Sequence, residues 1–234
     1  MQAEHDLTII PEGAIIETER GMHFRHFKSA SAYMEKKFGV SVSSLEEMPL
    51  ENLKAVSDCI HKMYRDIPQL KGFIDQVVLI DMTEIAKATV LWHGDEPEIL
   101  LKLSRDYFSS MSISEIEDAI QAACKENIFS AKSDLYGIFK QESAHFAEFY
   151  MTFKKYGRNA EARASLSRYE LASQIAEESF RLCELEQNEL NIKRFISKYA
   201  KESKAELIAE AYSSEETNAV VQKIKHILKK KWGI

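Results

Sequence analysis

One stretch of the sequence, residues 136–150, organises the rest of the chain, and it reads YGIFKQESAHFAEFY. Apolar residues recur through and around it at helical spacing, which predicts a long, well-buried helix over residues 133–156. They are Leu135, Ile138, Phe139, Phe146, Phe149, Tyr150 and Phe153. Gln141, Glu142 and His145 stand between these apolar turns. We therefore expect the three polar side chains inside the protein or at the floor of a cleft.

The centre of this stretch, Gln141-Glu142-Ser143-Ala144-His145, lacks one residue of a known metal-binding pattern. In His-Glu-x-x-His, two histidines one helical turn apart bind zinc, and the Glu acts as general base. Glu142 and His145 keep their positions here, and Gln141 replaces the first histidine. On this helix alone, a solvated polar face is the commoner explanation, because Glu-x-x-His often arises by chance.

Composition and charge limit the classes of protein to consider. The chain has 234 residues, 45% of them hydrophobic and 29% charged, with a net charge of −6. The absence of a basic excess argues against nucleic acid as the main partner. The apolar runs are far shorter than the roughly 20 residues of a membrane helix. The polar N-terminus and the widely spaced Cys59, Cys124 and Cys183 predict a cytoplasmic protein without disulfides or a signal peptide.

Helix breakers are distributed unevenly along the chain. All four prolines lie within the first 97 residues. The only glycines between Gly94 and Gly233 are Gly137 and Gly157. We expect an N-terminal arm over residues 1–24, with a strand pair around Pro11-Glu12-Gly13. A single domain should follow over residues 25–234. Its sheet-containing part is expected at about residues 70–108 and its helical part at about residues 112–231.

The local patterns predict an α+β protein, mostly helical, with a small mixed or antiparallel sheet. Strands are expected at residues 77–80, 86–92 and 98–103, with a turn at residues 93–97 joining the last two. Ser114-x-x-Glu117 predicts the start of a helix, with shifted starts also allowed. Residues 160–199 are expected to form two helices. The other helices are expected at residues 29–38, 49–64, 113–126, 203–212 and 215–231.

A second segment changes the interpretation of the first. Residues 197–212 read SKYAKESKAELIAEAY, so Tyr199 precedes the helical motif Glu206-x-x-Ala209-Glu210 by seven residues. In their order and in their separation of about 60 residues, the two motifs resemble those of anthrax-lethal-factor-type zincins and of the metallopeptidase-like domains of phage minor head proteins. The resemblance spans about residues 25–230, and only the two helical motifs are specific.

The resemblance implies a catalytic zinc site with defined roles. Glu142 would be the general base that takes a proton from zinc-bound water, and His145 and Glu206 would bind the zinc. Tyr199 would donate a hydrogen bond to the tetrahedral intermediate. Glu210 would orient His145 from behind, with a purely structural carboxylate as the alternative.

Gln141 departs from the family pattern. A neutral amide oxygen is a poorer zinc ligand than imidazole, so Gln141 is a doubtful ligand. His93 and His26 could complete the ligand set by residue type alone. We therefore expect zinc to be weakly bound or absent, and peptidase activity to be weak or absent. The resemblance also implies a phage or prophage origin, and a cytoplasmic or virion-associated location.

A second function remains open. The chain could be a non-enzymatic structural or peptide-binding module, for example in phage head assembly. The resemblance places the strand near Ile99–Leu103 at the edge of the sheet. There it could hold a peptide or protein segment in an extended conformation by strand addition.

Overall fold

A computed structural model describes residues 16–18, 21–23, 27–129 and 134–234 of the chain. Within the N-terminal arm, β1 (Ile16–Thr18) pairs antiparallel with β2 (Gly21–His23). The predicted strand and turn over residues 7–13 lie outside the described residues. Helix α1 (Phe27–Phe38), strand β3 (Ser41–Ser43) and helix α2 (Leu50–Asp66) follow.

The sheet is mixed and has four strands, three of them in the predicted region of residues 70–108 and one, β3, before it. Its remaining strands are β4 (Gln76–Ile80), β5 (Ala86–His93) and β6 (Glu96–Ser104), and the order is β3-β4-β6-β5. Strands β3, β4 and β6 are parallel, and β5 joins β6 as an antiparallel hairpin. Gly94 allows the tight turn of this hairpin with a positive φ of 67°. The predicted α+β class is confirmed.

The strand near Ile99–Leu103 is not the edge strand, and this prediction was wrong. It belongs to β6, which lies between β4 and β5. Ile99, Leu101 and Leu103 are completely buried, as expected for a strand with neighbours on both sides. Among the described residues, the edge strands of this sheet are the three-residue β3 and the longer β5, each with a strand partner on one side only.

Helices form the second half of the chain. They are α3 (Arg105–Phe108), α4 (Ile113–Lys125), α5 (Leu135–Tyr156), α6 (Ala160–Ser167), α7 (Glu170–Leu182), α8 (Glu189–Phe195), α9 (Lys204–Ser213) and α10 (Ala219–Lys231). Helix α4 begins at Ile113, as predicted, and its capping box joins Ser112 and Glu115, two residues before the predicted Ser114-x-x-Glu117 motif.

Residues 160–199 contain three helices, not the expected two. The first break follows α6, where Tyr169 adopts a φ of +50°. The second follows α7, where Glu184 has a φ of +55° and the Asn188 side chain then caps α8. Neither break contains glycine or proline, the residues that usually mark one in a sequence.

Helix α5 is the long helix that the sequence predicted, and it lies at the centre of the fold. Asp134 caps its first turn by accepting a hydrogen bond from the Gly137 N–H at 2.6 Å. It ends at Gly157, whose positive φ of 80° stops the helix. Phe139 and Phe146 are completely buried. The helix packs against both β5 and α9 and thereby positions Gln141, Glu142 and His145.

Candidate functional site

Three polar side chains from two helices meet at one oxygen atom. Gln141 and His145 are four residues apart on α5, so they project from the same face. Glu206 faces them from α9. The Gln141 Nε2 donates to Glu206 Oε2 at 3.1 Å, and His145 Nε2 lies 3.3 Å from the same oxygen. The structure thus brings together the three positions that the sequence singled out as zinc ligands.

The position of Glu206 follows from the packing of α9. Ser203 caps this helix by accepting a hydrogen bond from the Glu206 N–H at 3.0 Å. Leu207, Ile208 and Ala209 are at most 2% exposed. Because these neighbours are fixed in the core, the Glu206 carboxylate is held against α5.

Glu142 connects α5 to the edge of the sheet. Its carboxylate accepts a hydrogen bond from the backbone N–H of Ala88 on β5 at 2.6 Å. The side chain is only 6% exposed. The predicted general base is therefore buried and bound to the edge strand.

Tyr199 lines the same cavity, at a short 3-10 helix over Tyr199–Lys201. Its backbone N–H donates to the Ile128 carbonyl at 3.1 Å. Its ring packs edge-on against Phe129, with the centroids 6.0 Å apart. These contacts tie the tyrosine to the loop after α4.

Glu148 is a site residue that the sequence reasoning missed. It lies one turn beyond His145 on α5, is 3% exposed and lines the same cavity. Its carboxylate accepts a hydrogen bond from the backbone N–H of Ala172, in the first turn of α7, at 3.3 Å. The i, i+3 spacing from His145 was the available signal, but nothing in the sequence distinguished Glu148 from a surface carboxylate.

His145 and Glu206 form a partly buried ion pair. Burial alone would lower the pKa of His145, but its hydrogen bond to Glu206 and three nearby carboxylates raise it to about 9. Burial would raise the pKa of Glu206, but His145 and Gln141 outweigh that effect and lower it. At neutral pH the pair therefore consists of an imidazolium and a carboxylate.

The other two acidic groups behave differently. Burial raises the pKa of Glu142 to about 7, against the opposing effects of His145 and the Ala88 N–H. Burial likewise raises the pKa of Glu148 to about 7. Burial and the neighbouring carboxylates raise the pKa of Tyr199, so its hydroxyl remains a hydrogen-bond donor at neutral pH.

These residues form the polar floor of a cavity of about 440 Å³. One wall is the start of β5, where Lys87 forms a salt bridge with Glu84 at 2.6 Å. The opposite side carries the exposed apolar side chains Ile128 and Tyr169, which are 37% and 42% exposed. The remaining aromatic and aliphatic wall includes Tyr107, Phe129, Phe149 and Leu166.

Glu210 is completely buried on α9. Glu210 is not among the residues that line the cavity, whereas Glu148 of α5 is. A role for Glu210 in orienting His145 stays a prediction.

The donor set does not fit a tightly held zinc ion. In the described part of the chain, no group of three or more His, Cys, Asp or Glu side chains is arranged to hold a metal. His145 and Glu206 supply two donors, and the Gln141 amide turns an N–H toward them. A protonated imidazole has no lone pair on Nε2 with which to bind a metal.

The two extra histidines do not complete this set. His93 lies at the far end of β5, exposed, with its Nε2 3.1 Å from Glu98 Oε2. His26 lies outside the described residues.

No protein-family model, curated protein or solved structure matches this chain. In the described ranges, no helix is both long and apolar enough to cross a membrane. The function must therefore be inferred from the site itself.

Proposed function

We propose that this protein is a zincin-like protein whose altered site binds an extended peptide or protein segment, with weak or no peptidase activity. The single observation that carries the proposal is the meeting of Gln141 and His145 on one oxygen of Glu206. The side chains at the implied zinc-ligand positions lie together, but they bond to one another: the Gln141 amide and the protonated His145 ring both donate to Glu206.

Several features support the zincin-like part of the proposal. Helices α5 and α9 carry Gln141, His145 and Glu206 to one point, as the resemblance implies. Glu142 and Tyr199 border the same cavity. An antiparallel edge strand runs beside the site helix, in the place where a substrate strand would bind.

Two effects weaken zinc binding at this site. Zinc must remove the proton from His145, and with a pKa of about 9 this competition costs about 100-fold in affinity at pH 7. Gln141 also supplies a neutral amide in place of an imidazole. Zinc is therefore weakly held or absent in the proposed working protein.

The free edge of β5 favours the binding function over catalysis. Peptides often add to an exposed sheet edge through backbone hydrogen bonds, and no metal is needed for this. The proposed peptide lies along β5, not along the strand near Ile99–Leu103. The phage origin and the cytoplasmic or virion-associated location stay predictions, which mass spectrometry of purified virions would test.

The variant Gln141→His tests the proposed site. Restoring the imidazole should raise zinc affinity at least about tenfold in calorimetric titrations, because it replaces the weakest donor. Gln69→His adds an imidazole at an exposed position that does not line the cavity and should leave zinc affinity unchanged.

Two results would contradict the proposal. One is an equal gain in both variants. The other is a wild-type protein that purifies with one tightly bound zinc and cleaves peptides in a reaction abolished by Glu142→Gln.

A further inference from the structure

The register of the β5–β6 hairpin shows which backbone groups of β5 are available to a ligand. Ala88 pairs with Leu101, but its N–H points to Glu142 and not to β6. Just before β5, the Ile85 carbonyl accepts from the backbone N–H of Ser104, the last residue of β6, so the backbone groups of Ile85 face β6. Because alternate residues of an antiparallel edge face outward, the backbone groups of Ala86, Ala88, Val90 and Trp92 face the free edge.

The central outward-facing donor is already taken by Glu142. Its carboxylate oxygen lies 2.6 Å from the Ala88 nitrogen, where the carbonyl of an added strand would otherwise bind. A peptide that pairs along β5 must therefore displace Glu142 from Ala88.

The displaced carboxylate would need a new donor. The two cationic side chains among the described residues of the cavity are already paired, Lys87 with Glu84 and His145 with Glu206. Within the described residues, the hydrogen bonds of Glu142 and Glu148 come from the backbone N–H groups of Ala88 and Ala172. A carboxylate that is 6% exposed cannot turn to bulk solvent, and leaving it without a donor is costly.

We infer that the cavity selects an extended peptide carrying a Lys or Arg side chain that binds Glu142 while the peptide backbone takes over the Ala88 N–H. This inference rests on the proposed peptide-binding function. The cationic group would face a cavity floor that carries three carboxyl side chains, Glu142, Glu148 and Glu206. An apolar side chain would leave Glu142 without a donor, and an acidic one would add a like charge.

The walls of the cavity suit the same ligand. The aliphatic stem of a lysine or arginine packs well on apolar and aromatic surfaces while its charged end reaches a carboxylate. Phe149, Phe129 and Tyr199 supply such surfaces beside the polar floor.

A peptide array tests this inference on the full chain. Extended peptides of random sequence are synthesised in three versions, with Lys, norleucine or Glu at the same central position. For the peptides that bind, we expect Lys to bind about tenfold or more tightly than norleucine, because it forms a charge-assisted hydrogen bond to a buried carboxylate. Glu at this position should bind most weakly.

The variant Glu142→Gln should reduce the Lys-to-norleucine ratio to near one while norleucine peptides still bind. Glu96→Gln removes one negative charge at the exposed hairpin turn and should keep the full ratio. Equal binding of Lys and norleucine peptides to the wild-type chain would overturn this inference and leave peptide binding intact. If no version of any peptide binds, both this inference and the proposed function fail.

Discussion

The site has two sides, which differ in the elements that their buried polar groups meet and not in the face of α5, and the polar groups on the two sides are in different states. Toward α9, Gln141, His145 and Glu206 satisfy one another in an ion pair with an added amide. Toward β5 and α7, Glu142 and Glu148 accept hydrogen bonds from backbone N–H groups and have no opposite charge within hydrogen-bonding distance among the described residues. The polar groups of the first side satisfy one another, whereas the carboxyl groups of the second side accept from backbone N–H groups. The proposed zinc-ligand positions therefore belong to the internally paired side.

The largest expected effect comes from breaking the internally paired side. Glu206→Ala leaves a buried imidazolium and an amide without their shared acceptor, and we expect a loss of about 3 kcal/mol in unfolding free energy. The pKa of His145 should then fall, since burial would no longer be opposed by Glu206. Urea denaturation and an NMR titration of His145 would measure both changes.

A matched control exists on the surface. His93 and Glu98 form the same type of pair at 3.1 Å, but their side chains are 66% and 38% exposed. Glu98→Ala should cost less than about 0.5 kcal/mol. Equal losses for the two variants would show that burial of the His145–Glu206 pair has no energetic consequence.

The next effect concerns pH and separates the two sides. Glu142 and Glu148 have folded pKa values of about 7, above the unfolded value of 4.5, so their contribution falls as pH rises from about 4.5 to 7. His145 has a folded pKa of about 9, so its contribution is complete below pH 6.5 and is lost toward pH 9. Unfolding free energy should therefore decrease by roughly 3 kcal/mol per pH unit between about pH 5 and 6.5, where two carboxyl groups act, and by roughly 1 kcal/mol per pH unit from there toward pH 9, where His145 acts.

Denaturant unfolding at a series of pH values would test this slope. In the double variant of Glu142→Gln and Glu148→Gln, the slope below pH 6.5 should flatten, and the part toward pH 9 should remain. Glu206, whose pKa is lowered, acts in the opposite sense only as pH falls below about 4.5. A stability that rises from pH 5 to 9 would contradict the assigned protonation states.

The smallest effect on stability is expected at the open edge. Val90→Pro removes an N–H that faces away from β6, so we expect a loss of only about 1 kcal/mol, as edge strands tolerate proline. Peptide binding, measured by fluorescence anisotropy, should nevertheless fall at least about tenfold. Val90→Ala makes a comparable change in the side chain and keeps the N–H, so it should bind peptides normally. Similar losses in both variants would argue against backbone pairing at β5.

Much of the helical part could be predicted because its signals are local. The apolar spacing around residues 136–150 predicted α5, and α5 ends at Gly157, one of the two glycines of that region. The structure also brings Gln141, His145 and Glu206 to one point, as the resemblance to zincins implied, and their role as metal ligands stays a prediction. The breaks at Tyr169 and Glu184 were not predicted, because ordinary residues adopt a positive φ there under tertiary constraint.

For the sheet, the positions of three strands could be predicted from the sequence, but the order of the strands could not. The three predicted strands exist close to their predicted bounds, because apolar runs and the turn at Gly94 are visible in the sequence. Their order was not visible, because pairing between β4 and β6 skips over β5 along the chain. The predicted edge strand therefore turned out to be an interior one.

For residues 136–150, the sequence alone determined a buried helix with Gln141, Glu142 and His145 on its polar side, because helical periodicity depends only on local spacing. Only the tertiary structure decided what each polar group meets: Glu206 across from His145, the Ala88 N–H above Glu142, and α7 beside Glu148. Those contacts set the charges of the site, since the pKa of a buried group depends on its partners and on its access to water.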